Sequence, residues 1–187
     1  MIKQIGKFIG VAALIFTMYS CSDDDNDIIH DIEPGTFEAS VAGDFEAQID
    51  GVAVFIDYFD QFTGDRAFIL GFGSSNQEIM NIWVLRAGEY PGDGTYDIQP
   101  VDLEDMEQQD WFLDVQEFVS YSERMVDEQY ELFITESGTV TLELTGDNTV
   151  TGEFEINATG FLIDQEGLAE ETSQVQITGS YNAVPGQ

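Results

Sequence analysis

From Gly35 onward the dominant spacing of apolar residues is two. Phe45, Ala47 and Ile49 alternate with Glu46, Gln48 and Asp50, which along a strand sends one set to a core and the other to water. Asp50-Gly51 is a favoured hairpin dipeptide, and residues 52–59, rich in branched and aromatic side chains, read as the returning strand. Thr63-Gly64-Asp65 predicts a turn into a strand over 67–72. Ser74-Ser75-Asn76 predicts another into 79–85, whose apolar character assigns Trp83 to the core. Residues 88–94, with Pro91 inside, are a loop by composition, and 95–98 a short strand.

The period breaks at 101–110. Asp102 could cap a short helix with Asp105 in its first turn and Leu103 and Met106 toward the core. Trp111, Leu113, Val115, Val119 and Tyr121 alternate as a strand, while Phe112, Val115 and Val119 also fit a helical stripe. Tyr130, Leu132 and Ile134 alternate again. After Ser137-Gly138 the clearest hairpin of the chain follows: Val140, Leu142 and Leu144 out, Gly146-Asp147-Asn148 as the turn, and Val150, Phe154, Ile156 and Ala158 back. It predicts Leu142 and Phe154 buried with Thr141 and Glu155 in solvent. Residues 161–171 read as an acidic loop, and Val175, Ile177, Gly179 and Tyr181 as the closing strand. The expectation is an all-β fold, an antiparallel β-sandwich of about 8–10 short strands with at most one short helix near 102–110, a closed β-barrel being the alternative.

The N-terminal residues follow another logic. Residues 1–7 carry Lys3 and Lys7 and no acid, residues 8–16 are apolar, and small or semi-polar residues lead to Cys21, the three-part pattern of a removable secretory signal. The apolar run is well short of the roughly 20 residues a membrane-spanning helix needs. Removal of 1–20 would leave 37 acids against Arg66, Arg86 and Arg124 and no lysine. Such a chain repels nucleic acid, whose binding rests on cationic side chains displacing counterions, and anionic headgroups likewise. Residues 36–187 suffice for one domain with its own core, and with a single cysteine its stability must come from packing.

The stretch around Cys21 resembles a bacterial lipoprotein signal, with Ser20 at the small position before the cut and Met18 at the apolar one, although Tyr19 is bulkier than usual there. The resemblance implies that Cys21 becomes the lipid-bearing N-terminus. Ser22, Asp23, Asp24, Asp25 and Asp27 resemble the acidic export tag of surface-exposed Bacteroidota lipoproteins; like charges also extend the chain, so residues 21–35 form an acidic tether in either case. At about 3.3–3.6 Å per residue the tether could hold the domain roughly 40 Å from the lipid. Phe45-x-Ala47-x-Ile49-Asp50-Gly51, Gly94-Thr95-Tyr96, Ser137-Gly138-Thr139-Val140-Thr141 and Val175-Gln176-Ile177-Thr178-Gly179-Ser180-Tyr181 resemble a family of small Bacteroidota lipoproteins made of such a signal and a β domain of unknown function. The family often carries a tryptophan after the first turn, where Val54 and Phe55 stand here, and residues 100–130 have no counterpart. No catalytic residue is carried over.

Chemistry is constrained mostly by exclusion. His30, the one histidine, lies in the tether, which removes Ser-His-Asp, Cys-His and multi-histidine zinc arrangements. No lysine remains for a Schiff base, and there is no Gly-rich phosphate loop. A carboxylate-dependent glycoside hydrolase needs only two acids, but no pair stands out, so the expectation is no enzyme and no cofactor. Calcium is the metal best suited to oxygen ligands; Asp57, Asp60 and Asp65 around Gly64, and Asp102, Glu104 and Asp105, are candidate loops unless they are simply solvated acids. Tyr58, Tyr90, Tyr96 and Trp111 fall near predicted loops and could stack on a sugar, or pack on the core. The functional expectation is a surface-exposed outer-membrane lipoprotein, reaching the membrane through its lipid alone, that serves as a non-catalytic binding or structural module with a glycan or envelope protein as partner. A glycan- or calcium-binding accessory and a carboxylate-only hydrolase are the alternatives.

Overall fold

The computed structural model describes residues 33–61, 63–74, 80–100, 116–126, 129–145, 148–164 and 167–186. Cys21 and the run from Ser22 to Asp27, the helix expected near 102–110, Trp111 and the loop acids Asp102, Glu104 and Asp105 lie outside them.

The described residues form nine strands: β1 (Thr36–Gly43), β2 (Ala47–Phe59), β3 (Arg66–Ser74), β4 (Met80–Ala87), β5 (Gly94–Gln99), β6 (Phe118–Val126), β7 (Gln129–Leu144), β8 (Val150–Asp164) and β9 (Gly167–Pro185). The fold is all-β, as the alternation predicts, and no helix occurs among the described residues. The sheet runs β1-β2-β3-β4-β6-β5-β7-β8-β9 and closes through β9 onto β1, so its hydrogen bonds follow the barrel form of the expected architecture. Its inside is filled as a sandwich core is: the Phe72 ring of β3 lies 5.0 Å from Phe154 of β8 and 5.1 Å from Tyr181 of β9. Among the described residues every pairing is antiparallel except two short ones, Ile98 and Gln99 beside Phe118 and Val119, and Val54 and Phe55 beside Val184 and Pro185.

Leu142 is 2% and Phe154 3% exposed, while Glu155 is exposed and Thr141 half-buried, as the hairpin pattern requires. Three expectations fail, each for a reason of pairing. Asp50-Gly51 is no turn: β2 runs straight through it, because Gly51 pairs with Phe37 of β1 on one side and Ser74 of β3 on the other. The turn lies one strand earlier, at Gly43 with φ of 132°, at the end of β1, a strand the alternation from Phe45 onward does not include. Ser137-Gly138 is strand within β7, paired with Asn157 and Ile156 of β8; a bulge between Thr135 and Ser137 precedes it, where β7 changes partner from β6 to β5. Residues 161–171 are mostly strand, with Phe161 opposite Glu171 and Leu162 opposite Glu170 across two register shifts. The last three strands are therefore long rather than short.

Candidate functional site

The outside of the barrel has two chemically distinct halves. Over β1, β5, β7, β8, β9 and the first half of β2 the outward positions are hydroxyls, amides and carboxylates brought into register. One row reads Asp50, Glu38, Ser180, Glu153, Thr141, Thr95 and the next Gln48, Ser40, Thr178, Glu155, Thr139, Asp97. Over this half the interior positions are apolar and the outer ones carry carboxylates, the reverse of a lipid-facing barrel, whose outer band is apolar.

This polar half is hollowed into a groove of about 650 Å³ lined by Glu38, Ser40, Gln48, Thr95, Thr139, Thr141, Glu153, Glu155, Thr178 and Ser180, with Ala39, Phe154 and Gly179 in its floor. Gly179 is obligatory there, since a Cβ would stand 2.6 Å from the Phe154 ring and 2.7 Å from the Glu38 carbonyl. Local bonds orient the lining. Ser40 donates to the Gln48 side chain at 3.1 Å, Thr141 to the Glu153 carbonyl at 3.1 Å, and the Gln176 amide to Glu155 at 3.0 Å. Among the described residues three carboxylates line the groove and no cationic side chain does. Such a surface accepts hydrogen bonds from hydroxyls or ammonium groups and repels anions. Its size is that of a small-ligand cleft. Among the described residues no exposed ring offers a stacking platform in it, Phe154 being covered.

Two carboxyls outside the groove are shifted. Glu131, inward on β7, is 4% exposed and bonded by Arg124 Nε at 3.0 Å, Thr172 at 2.5 Å and Ser173 at 3.0 Å. Burial alone would raise its pKa, but these donors and the Arg124 charge together hold it below the ordinary value. Glu123, outward on β6, is pushed up chiefly by burial, against hydrogen bonds from Asn81 and Trp83 that favour the charged form. Carboxyls displaced in opposite directions are what acid–base catalysis uses, yet here the sheet separates them: one faces the interior and the other the outer wall. They cannot act on one substrate, and Glu131 is committed to its arginine. Arg124 also lies 3.7 Å from the centre of the Phe45 ring, closing one end of the barrel. Arg86 sits over Phe118 and Arg66 over Phe59.

The sequence candidates within the described residues fall elsewhere. Asp60 shapes the β2–β3 turn, its carboxylate accepting from the Thr63 N–H at 3.3 Å, with Gly64 at φ 83°. No group of three or more His, Cys, Asp or Glu able to hold a metal ion occurs among the described residues. Tyr96 packs 5.1 Å from Phe118 and donates to the Pro91 carbonyl at 2.7 Å, and Tyr90 sits edge-on to Phe68 at 5.1 Å; both serve the core. Tyr58 is half-buried. Trp83 is buried, but on the outer wall. The groove was missed because its only sequence signal is Thr, Ser and Glu recurring at polar strand positions, and nothing local aligns those of β1 with those of β5. Comparison with protein-family models, curated proteins and solved structures returned no match.

Proposed function

We propose that this chain is an outer-membrane lipoprotein, anchored through Cys21 and displayed at the cell exterior, whose β domain is a non-catalytic binding or structural module. The observation supporting a binding role is the groove over β1, β5 and β7–β9, where Glu38, Glu153 and Glu155 stand among hydroxyls with no cationic side chain among the described lining residues. Its chemistry favours a neutral polyhydroxylated partner such as a glycan, or an envelope protein presenting ammonium or hydroxyl groups, and disfavours phosphate-rich ones. The support for the anchor is the charged, apolar and small-residue succession ending at Cys21, with Ser22, Asp23, Asp24, Asp25 and Asp27 as the display signal.

Each half has its own experiment. Cys21→Ser should move the protein from the detergent phase to the aqueous phase, since stable anchoring rests on acyl chains contributing about 0.8 kcal/mol per buried methylene. Equal partitioning would reject the lipid. Alanine at the four aspartates should leave the lipid in place and abolish protease shaving of the protein from intact cells. For the groove, titration with a panel of neutral and anionic polysaccharides should give binding to neutral members that Thr141→Val with Glu153→Gln weakens at least tenfold. Binding untouched by the double change would remove the groove from the proposal. Turnover of any glycan, lost on a single carboxylate change, would replace the binding module with the hydrolase reading.

A further inference from the structure

Every described residue that lines the groove belongs to one of three neighbouring rows of the sheet. Ala39, Gly179 and Phe154, opposite one another across β1, β9 and β8, form the floor. On one side of them stand Glu38, Ser180, Glu153, Thr141 and Thr95, and on the other Gln48, Ser40, Thr178, Glu155 and Thr139. The groove is therefore a trough that runs across the strands, along the direction of their hydrogen bonds, from Gln48 of β2 to Thr95 of β5. It crosses β2, β1, β9, β8, β7 and β5 in turn, five spacings of about 4.8 Å or about 24 Å in all. Its two banks lie two residues apart along each strand, about 7 Å. That shape admits one polymer chain lying lengthwise.

A peptide and a glycan are the two linear polymers that could bring hydroxyl or ammonium donors, and the geometry separates them. Within the trough β1, β9, β8 and β7 are each hydrogen-bonded to a strand on both sides, so they offer no edge to which an extended peptide could add as a further strand. An extended peptide also repeats its side chains on one face every 7 Å or so, out of step with banks that present a new residue about every 4.8 Å. An equatorially linked pyranose chain fits both dimensions: it is a ribbon with hydroxyls along both edges, and each ring advances it by roughly the distance between strands. Among the described residues the side chains of Glu38, Ser180, Glu153 and Thr95 on one bank, and of Thr178 and Thr139 on the other, have no hydrogen-bond partner. A sugar hydroxyl there displaces only water, and a carboxylate accepts from it more strongly than a neutral oxygen does.

We propose that the trough takes a single unbranched, neutral, equatorially linked glycan laid across the strands, at about one ring per strand. This rests on the reading of the groove as a glycan-binding surface and adds the shape and direction of the bound chain. Near the middle, on β8, both banks carry a carboxylate, Glu153 and Glu155, so a ring placed there donates from both edges. With no exposed aromatic ring among the described lining residues, hydrogen bonds alone hold each sugar, and affinity accumulates strand by strand instead of residing in one subsite.

The test titrates the full chain, held in detergent, with β-1,4-linked glucose and mannose oligomers of two to eight units, followed by calorimetry. For at least one of the two series affinity should rise at least tenfold from dimer to pentamer and change little beyond the hexamer. The α-1,4-linked glucose hexamer, which coils, should bind at least tenfold more weakly than the better β-linked hexamer. Gln48→Ala with Thr95→Ala, both exposed and at opposite ends of the trough, should weaken the hexamer at least fivefold and leave the dimer unchanged. A dimer that binds as tightly as the hexamer, or equal binding of the two linkages, with binding still weakened by Thr141→Val with Glu153→Gln, would refute the lengthwise arrangement while leaving the groove a glycan site. Binding of no saccharide at all would refute it together with that reading. Binding of oligolysine alone, weakened by the same double change, would give the trough to a cationic peptide and refute it as well.

Discussion

Arg124→Ala should be among the most damaging single changes at a charged position in this protein. The guanidinium meets Glu131 at 2.5 Å, the two side chains being 16% and 5% exposed, and it covers the Phe45 ring. Removing it leaves a carboxylate at the mouth of an apolar interior with only the Thr172 and Ser173 hydroxyls to solvate it. Breaking one partner of a buried pair costs about 3–5 kcal/mol, against a total stability of about 5–15 kcal/mol for a domain. For a chain of this size about 1 kcal/mol moves the melting temperature by roughly 2–4 °C, so a fall of about 6–20 °C is expected. Arg124→Met with Glu131→Leu should recover most of the loss, because the unpaired charge disappears with its partner. The exposed pair Arg66–Glu89, 40% and 79% exposed at 3.5 Å, is the control: Arg66→Ala should cost less than about 1 kcal/mol. Acid titration gives the sign. Glu131 is held below its ordinary value of 4.5 in the fold, so its charged form contributes stability above the unfolded pKa, and that contribution is lost as pH falls through the folded one. The stability difference between wild type and Glu131→Gln should therefore be full at neutral pH and shrink steadily below about pH 4.5. Denaturant melts of the four variants from pH 7 to pH 3 measure all of this. An Arg124→Ala protein within about 0.5 kcal/mol of wild type, or a double variant as unstable as the single one, would refute the account.

Phe154→Ala should cost about 3–5 kcal/mol, since it empties the contact between facing walls, whereas Glu155→Gln on the neighbouring outward position should change stability by less than about 0.5 kcal/mol in the same chemical denaturation. Gly71→Ala should lift Trp83 off the outer wall at a cost of about 1–3 kcal/mol and shift its emission to the red; an unshifted spectrum would mean that the ring does not rest there. Ser122→Ala should be neutral or stabilising by up to about 1 kcal/mol, because the Ser122 hydroxyl, 1% exposed inside the barrel, has no hydrogen-bond partner among the described residues. Chelator should leave the melting temperature of the wild type unmoved, and a shift of several degrees on adding calcium would reopen Asp57, Asp60 and Asp65 as ligands.

The sequence by itself determined strand content and, in the hairpin of β7 and β8, the inside–outside choice, because a period of two is a local property and one face must leave water. Leu142 against Thr141 and Phe154 against Glu155 were legible for that reason. Where turns fall was less legible: Asp50-Gly51 has the composition of a hairpin turn, and only the neighbours that β1 and β3 supply on either side keep β2 extended through it. Ser137-Gly138 likewise reads as a break, yet both residues stay paired with β8, and the irregularity falls just before them, where β7 passes from β6 to β5. Tertiary structure alone decided closure, since the pairing of β9 with β1 joins residues at opposite ends of the domain. It also decided the groove, whose Thr, Ser and Glu residues come from strands far apart in sequence. It gave Arg124 its partner Glu131, and it placed Trp83 on the outer wall, because alternation says that a residue is buried on one face but not which body covers the other.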